Sequence, residues 1–129
     1  MQQSREDDVM ATILVIDDQE TIRTLLRLTL EGVGHEVLEA ANGRLGLALF
    51  RERSVDLVIT DIAMPEMNGL ELMLELTRNF INVKVIATSG CVGSDNVLNK
   101  ATLLGARQTF QKPFEMKTLL SAVQYDLLH

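Results

Sequence analysis

The chain has no tryptophan, one tyrosine, one cysteine, two prolines and two histidines among its 129 residues. A single cysteine, Cys91, excludes an internal disulfide and agrees with a reducing compartment. No motif places a histidine beside it, so it reads as a small loop residue rather than a nucleophile. His35 and His129 are too few and too far apart in sequence to suggest a zinc site. No apolar run approaches the roughly 20 residues of a membrane span. The opening MQQSREDDVM is polar and acidic and lacks the apolar core of a secretion signal, so the expected compartment is the cytoplasm. An excess of positive charge is also missing. The net charge is −6, which argues against direct binding of nucleic acid and against a basic membrane-binding face. Repeats, low-complexity stretches and interior linkers are absent.

What is present is ordinary for a folded domain: 47% hydrophobic and 23% charged residues. The length suits one domain of roughly 100–150 residues. Residues 1–10 read as a flexible leader and residues 11–129 as the domain. Apolar runs alternate with helical patterns. Ile13–Ile16 is a buried strand ending in Asp17-Asp18. Ile22, Leu25, Leu26, Leu30 and Val33 share one helix face, and Gly34 can end that helix. His35–Ala40 is a more polar strand. A helix over about 43–53 is expected to bury Leu45, Ala48 and Leu49. Leu57–Ile59 leads to Asp61. Turn chemistry follows at Met64-Pro65 and Asn68-Gly69. Leu70, Met73, Leu74 and Thr77 mark the third helix. Val83–Thr88 runs into Ser89-Gly90, and Val97, Ala101 and Leu104 mark the fourth helix. Gln108–Gln111 precedes Lys112-Pro113. Met116, Leu119, Leu120, Val123 and Leu127 form the last stripe.

This alternation predicts an α/β fold, (βα)5, with a parallel five-stranded sheet covered on both faces, a three-layer sandwich. The first, third and fourth strands are apolar throughout and belong at the centre; the second and fifth are mixed and belong at the edges. The flavodoxin-like order 2-1-3-4-5 satisfies this. Ligands in such sheets bind outside the carboxyl ends of the strands. The residues there are Asp17 and Asp18, Asp61, Ser89 and Lys112. Close carboxylates repel one another, and a hard divalent cation relieves the repulsion; an oxygen donor set with few protein ligands suits Mg²⁺. A carboxylate can accept a phosphoryl group, while an ammonium and a hydroxyl stabilise its oxygens. Each residue alone has a plainer reading: helix cap, turn residue, loop serine, surface lysine. Together, in one predicted place, they point to phosphoryl chemistry.

With ILVIDD at 13–18, DLVITDIAMPEMNGLEL at 56–72, VIATSG at 85–90 and GARQTFQKPF at 105–114, the chain resembles the receiver domains of two-component response regulators, chemotaxis-regulator-like and single-domain. The resemblance runs from about Thr12 to the C-terminus. It implies that Asp61 is the phosphoacceptor, that Asp18 binds Mg²⁺ directly and Asp17 largely through water, and that the Ala63 carbonyl is a further ligand. Mn²⁺ is expected to substitute. It implies phosphoryl contacts from Ser89, Lys112 and the backbone N–H groups of Ala63 and Gly90, and a cis Lys112–Pro113 bond. The implied phosphodonor is a phosphohistidine on a sensor histidine kinase or a histidine phosphotransfer protein. The implied output surface is the fourth helix, fifth strand and fifth helix.

Two departures from the family pattern stand out. The position three before the lysine, usually Tyr or Phe, is Thr109, with Phe110 beside it; Leu103, Leu104 or Phe110 is then the candidate to repack when Ser89 moves. The positions that tune phosphoryl loss are Ala63 and Cys91, neither of which offers an amide or carboxylate, so a long-lived phosphoryl state is expected. Other readings fit less well. An aspartyl-phosphate-type phosphatase carries Asp-x-Asp after the first strand, where this chain has Asp17-Asp18-Gln19. A degenerate receiver, acting as a phosphorylation-independent interaction module, usually lacks an acid or the lysine. A flavodoxin has a Ser/Thr/Gly-rich phosphate loop that is missing after the first strand.

Overall fold

Thr12–Ile16 forms the first strand, β1, because four successive β-branched or aliphatic residues are accepted only where both faces are covered. In the computed structural model, which describes residues 10–63, 69–80, 82–90 and 94–129, the elements continue as α1 (Glu20–Glu31), β2 (Glu36–Ala40), α2 (Gly43–Glu52), β3 (Leu57–Asp61), α3 (Gly69–Asn79), β4 (Val85–Ser89), α4 (Ser94–Leu103), β5 (Gln108–Gln111) and α5 (Met116–Leu128). All strand pairs are parallel and the order is β2-β1-β3-β4-β5, the predicted arrangement. β3 and β4 are buried at every position, whereas β2 and β5 are largely part-exposed edges.

Strand alternation divides the core in two. Leu14 and Ile16 face α2, α3 and α4, where Leu47, Leu72, Met73, Leu76, Leu98 and Ala101 are buried. Ile13 and Val15 face α1 and α5, where Leu26, Leu30, Leu119, Ala122 and Val123 are buried. Each fully buried aliphatic side chain contributes about 1.5–3 kcal/mol relative to exposure. Leu14→Ala, in the middle of the central strand, would leave a cavity and remove roughly 2–5 kcal/mol.

The strands agree closely with the reading of the sequence, but several helix faces do not. In α2 the inward residues are Gly43, Gly46 and Leu47; Leu45 is 52% exposed, Ala48 is exposed and Leu49 only partly covered. The reason is close approach: a Cβ on Gly46 would collide with the Ile16 side chain, so the helix lies on β1 through its glycine face. In α3 Leu72, Met73 and Leu76 are buried, while Leu74 and Thr77 are exposed and Leu70 is partly covered. In α1 Leu26 and Leu30 are buried and Ile22 is partly covered, but Leu25 is exposed, as is Val33 in the turn that follows. α4 buries Leu98 and Ala101 with Leu104 partly covered; the Val97 side chain lies outside the described ones. The stripe of α5 is as expected, extended by Ala122 and a buried Asp126.

Two connections differ by a residue or two from expectation. β4 begins at Val85 rather than Val83, and β2 at Glu36 rather than His35. α1 ends at Glu31, and Gly34 takes φ +101° so that the His35 N–H can return to the Leu30 carbonyl at 3.2 Å. His35 itself is buried, with Nδ1 accepting the Ala11 N–H at 3.1 Å.

Candidate functional site

β1, β3 and β4 end at the same edge of the sheet, and each brings one part of the site. Asp17 follows β1, Asp61 closes β3 and Ser89 closes β4. Lys112 follows β5, its N–H donating to the Ser89 carbonyl at 2.8 Å, which carries the lysine back over the centre of the sheet. The Lys112–Pro113 bond is cis, as expected. Carboxylate oxygens of Asp17, Asp18 and Asp61 come within 4.8 Å of one another. Asp17 and Asp61 are buried, and Asp18 is exposed.

Lys112 knits the two buried acids together. Its Nζ donates to Asp17 Oδ2 at 2.8 Å, to Asp61 Oδ2 at 3.2 Å and to Gln19 Oε1 at 3.2 Å. An ammonium has three N–H bonds, so these acceptors fill its capacity. Burial works against the charge on Lys112, but the hydrogen bond and charge of Asp17, then those of Asp61, outweigh it and raise its pKa. Asp61 goes the other way from a simple ion pair. Burial, helped by the charge of Asp17, raises its pKa despite the Ala63 N–H on Oδ1 at 3.0 Å and the lysine on Oδ2. Three carboxyl groups thus face one ammonium.

An open cleft of about 220 Å³ is lined by Asp18, Gln19, Asp61, Ala63, Gly90 and Lys112. Carboxylates of Asp18 and Asp61 on an open, polar cleft, with that of buried Asp17 within 4.8 Å, fit a hard divalent cation that keeps several waters, which is the donor set of Mg²⁺. Gly90 serves a packing purpose as well as keeping the cleft open: a Cβ there would lie 3.2 Å from Lys112 Cδ and press on the lysine stem.

Of the residues read from the sequence, Asp17, Asp18, Asp61, Ala63, Gly90 and Lys112 come together here. Ser89 is adjacent but fully buried and does not line the cleft. Thr109 and Phe110 lie on opposite faces of β5. Phe110 packs into the α1/α5 layer, its ring 5.6 Å from that of Phe114. Its ring therefore lies on the face of the sheet opposite α4. Leu104 lies partly buried on the α4 side, and Leu103 is 86% exposed. Met64, Pro65 and Cys91 lie outside the described residues.

Sequence reading missed Gln19 and Arg23. Gln19 is the N-cap of α1 but makes no side-chain cap; its amide goes to Lys112 instead. Arg23, one turn later, donates from Nη1 to the Asp17 carbonyl at 2.7 Å. A polar amide beside the acid pair was the available signal for the first. The second carries none, since an arginine at that helix position reads as solvated.

The family described as "Response regulator receiver domain" matches residues 13–124 of the chain. Protein PilH of Pseudomonas aeruginosa is 38% identical over 117 residues, covering 88% of this chain and 95% of that protein. A response regulator receiver domain protein from Clostridium thermocellum superimposes with a TM-score of 0.86 at 34% identity, over 92% of this chain and 95% of that one. The response regulator protein TrrA of Thermotoga maritima, solved in complex with Mg(2+)-BeF, superimposes with a TM-score of 0.81 at 32% identity, over 91% and 99% of the two chains.

Proposed function

The chain belongs to the response regulator receiver domain family and acts in two-component signalling, and we propose that it does so by accepting a phosphoryl group on Asp61 in the presence of Mg²⁺. The observation that carries this reading is the convergence of Asp18, Asp61 and Lys112 on one cleft, with the buried Asp17 bonded to the same lysine. Asp61 is the carboxylate reached both by the cleft and by the lysine. One of its oxygens forms the O–P bond as the N–P bond of a phosphohistidine breaks, the electron pair returning to the imidazole nitrogen. The donor is a sensor histidine kinase or a histidine phosphotransfer protein.

Asp18, Asp61 and the Ala63 carbonyl would hold Mg²⁺ directly and Asp17 largely through water. Bound there, the cation neutralises charge on the transferred oxygens. Mn²⁺ favours the same carboxylate and carbonyl donors and substitutes for it. Lys112 already has its donors aimed into the cleft. Its bond to Gln19, a neutral acceptor, is the one most easily exchanged for a phosphoryl oxygen. Ser89 and the N–H groups of Ala63 and Gly90 supply the remaining donors. The chain catalyses its own phosphorylation and dephosphorylation and no turnover of outside substrates.

Output runs through α4, β5 and α5 to a protein partner or output domain. Leu103 and Tyr125, exposed at 86% and 58%, support an apolar contact there. No described helix is long and apolar enough to cross a membrane; the lone cysteine supports a cytoplasmic location. The test is intact mass after incubation with a small phosphodonor, with and without Mg²⁺, for wild type and Asp61→Asn. A single adduct that needs Mg²⁺ and disappears in the variant supports the reading. No adduct, with beryllofluoride also failing to bind, makes the chain a phosphorylation-independent interaction module.

A further inference from the structure

Asp17 is tied down through every polar group it has. Its N–H donates to the Ala40 carbonyl at 3.1 Å, Oδ1 accepts the Gln19 N–H at 2.9 Å, and Oδ2 accepts Lys112 at 2.8 Å. The remaining group, the carbonyl, accepts Arg23 Nη1 at 2.7 Å. That last bond reaches beyond Asp17. A peptide unit is planar, so fixing the oxygen of residue 17 also fixes the nitrogen and Cα of residue 18. Asp18 is the exposed member of the acid cluster, and the direction of its side chain depends on that plane.

Arg23 is itself held. Its Nε lies 3.6 Å from Glu39 Oε1 on β2, and the other Glu39 oxygen takes Arg27 Nε at 2.9 Å. The Arg23 side chain is 17% exposed, which leaves its bond to the carbonyl largely sheltered from water. We propose that Arg23, oriented by Glu39, is a positioning residue that sets the Asp17–Asp18 peptide plane and thereby the affinity of the acid cluster for Mg²⁺. The inference rests on the Mg²⁺ reading of the site and adds a residue that lies outside the cleft.

Charge and geometry make opposite demands, which gives the test its direction. Removing a positive charge near an acidic cluster strengthens its hold on a cation. Removing an anchor that orients a ligand weakens it, typically about tenfold or more. Calorimetric titration with MgCl₂ at constant ionic strength is expected to show a Kd raised roughly tenfold in Arg23→Ala and in Arg23→Met, which keeps the aliphatic stem. Arg23→Lys, which restores a donor, recovers part of the loss. Arg53→Ala, which removes an arginine paired with Glu36 and no bond to Asp17 or Glu39, stays near wild type. Melting in EDTA reports any general loss of structure separately. An unchanged or lowered Kd in both Arg23→Ala and Arg23→Met overturns the proposal, whatever happens to the melting temperature. Equal weakening by Arg53→Ala also overturns it. A wild type that takes up no Mg²⁺ overturns the reading of the site, and this inference with it.

Discussion

Lys112 Nζ and Asp61 Oδ2 lie 3.2 Å apart although 51 positions separate them in the chain. The lysine is held from the other side by Asp17, so it is a fixed positive charge among the carboxylates that would bind a cation. Lys112→Met is therefore expected to tighten Mg²⁺ binding, about three- to tenfold, since a charge at this range acts through a moderate effective dielectric. The same variant loses the donor for phosphoryl oxygens, and beryllofluoride no longer produces the wild-type pattern of amide shifts. Weaker Mg²⁺ binding in Lys112→Met would mean that the lysine organises the acids more than it repels the metal.

Asp61→Asn abolishes the adduct, and it is also expected to stabilise the metal-free protein. Asn has one acceptor for two donors, Ala63 N–H and Lys112, so a hydrogen bond is lost. Against this, the raised pKa of Asp61 shows that its charge is disfavoured in the fold, chiefly by burial. Relief of that charge is the larger effect. The melting temperature in EDTA should rise. A lower melting temperature would show that the hydrogen bonds dominate.

His35 gives the fold a pH dependence away from the site. Burial lowers its pKa, and Nδ1 must stay unprotonated to accept the Ala11 N–H. The unfolded chain titrates this group near about 6.5. Below that value the unfolded state binds the proton first, so stability falls as pH drops through 6.5 toward the lower folded value. Urea midpoints should decline more between neutral pH and mildly acid pH for wild type than for His35→Asn. Parallel declines would remove His35 as the cause.

Phe110 is a packing residue on the α1/α5 side of the sheet. Phe110→Ala is expected to destabilise by about 2 kcal/mol, below the roughly 3–5 kcal/mol of a fully buried ring because this one is only partly buried. Amide shifts in α4 on beryllofluoride binding should survive it. Loss of those shifts in a folded Phe110→Ala would make Phe110 part of the switch after all.

The phosphoryl state should be long-lived, because Ala63 has no group to orient attacking water. Gln19 is the described side-chain amide that lines the cleft, and its oxygen is engaged by Lys112. The decay of the purified adduct, followed by intact mass, should be slow in wild type and change less than threefold in Gln19→Ala. Fast decay in wild type that slows in Gln19→Ala would assign the amide to the water.

The strand order and most of the site were legible because they depend on local chain properties. Runs such as Ile13–Ile16 and Leu57–Ile59 can be accepted only in a sheet covered on both sides, and a parallel sheet puts the carboxyl ends of its strands at one edge. Asp17, Asp61, Ser89 and Lys112 could thus be gathered before any coordinates. What depends on contact between distant elements could not be read in this way. Leu45 and Leu74 fit apolar periodicities, yet they face outward. In α2, Gly46 meeting Ile16 determines which face turns inward. Alternation along β5 puts Thr109 and Phe110 on opposite faces, but only the packed layers show which face meets α4 and which meets Phe114. The bond from Arg23 to the Asp17 carbonyl belongs to the same class. A side chain's hydrogen-bond partner is selected by what the rest of the fold brings within about 3 Å, which a helical position does not encode.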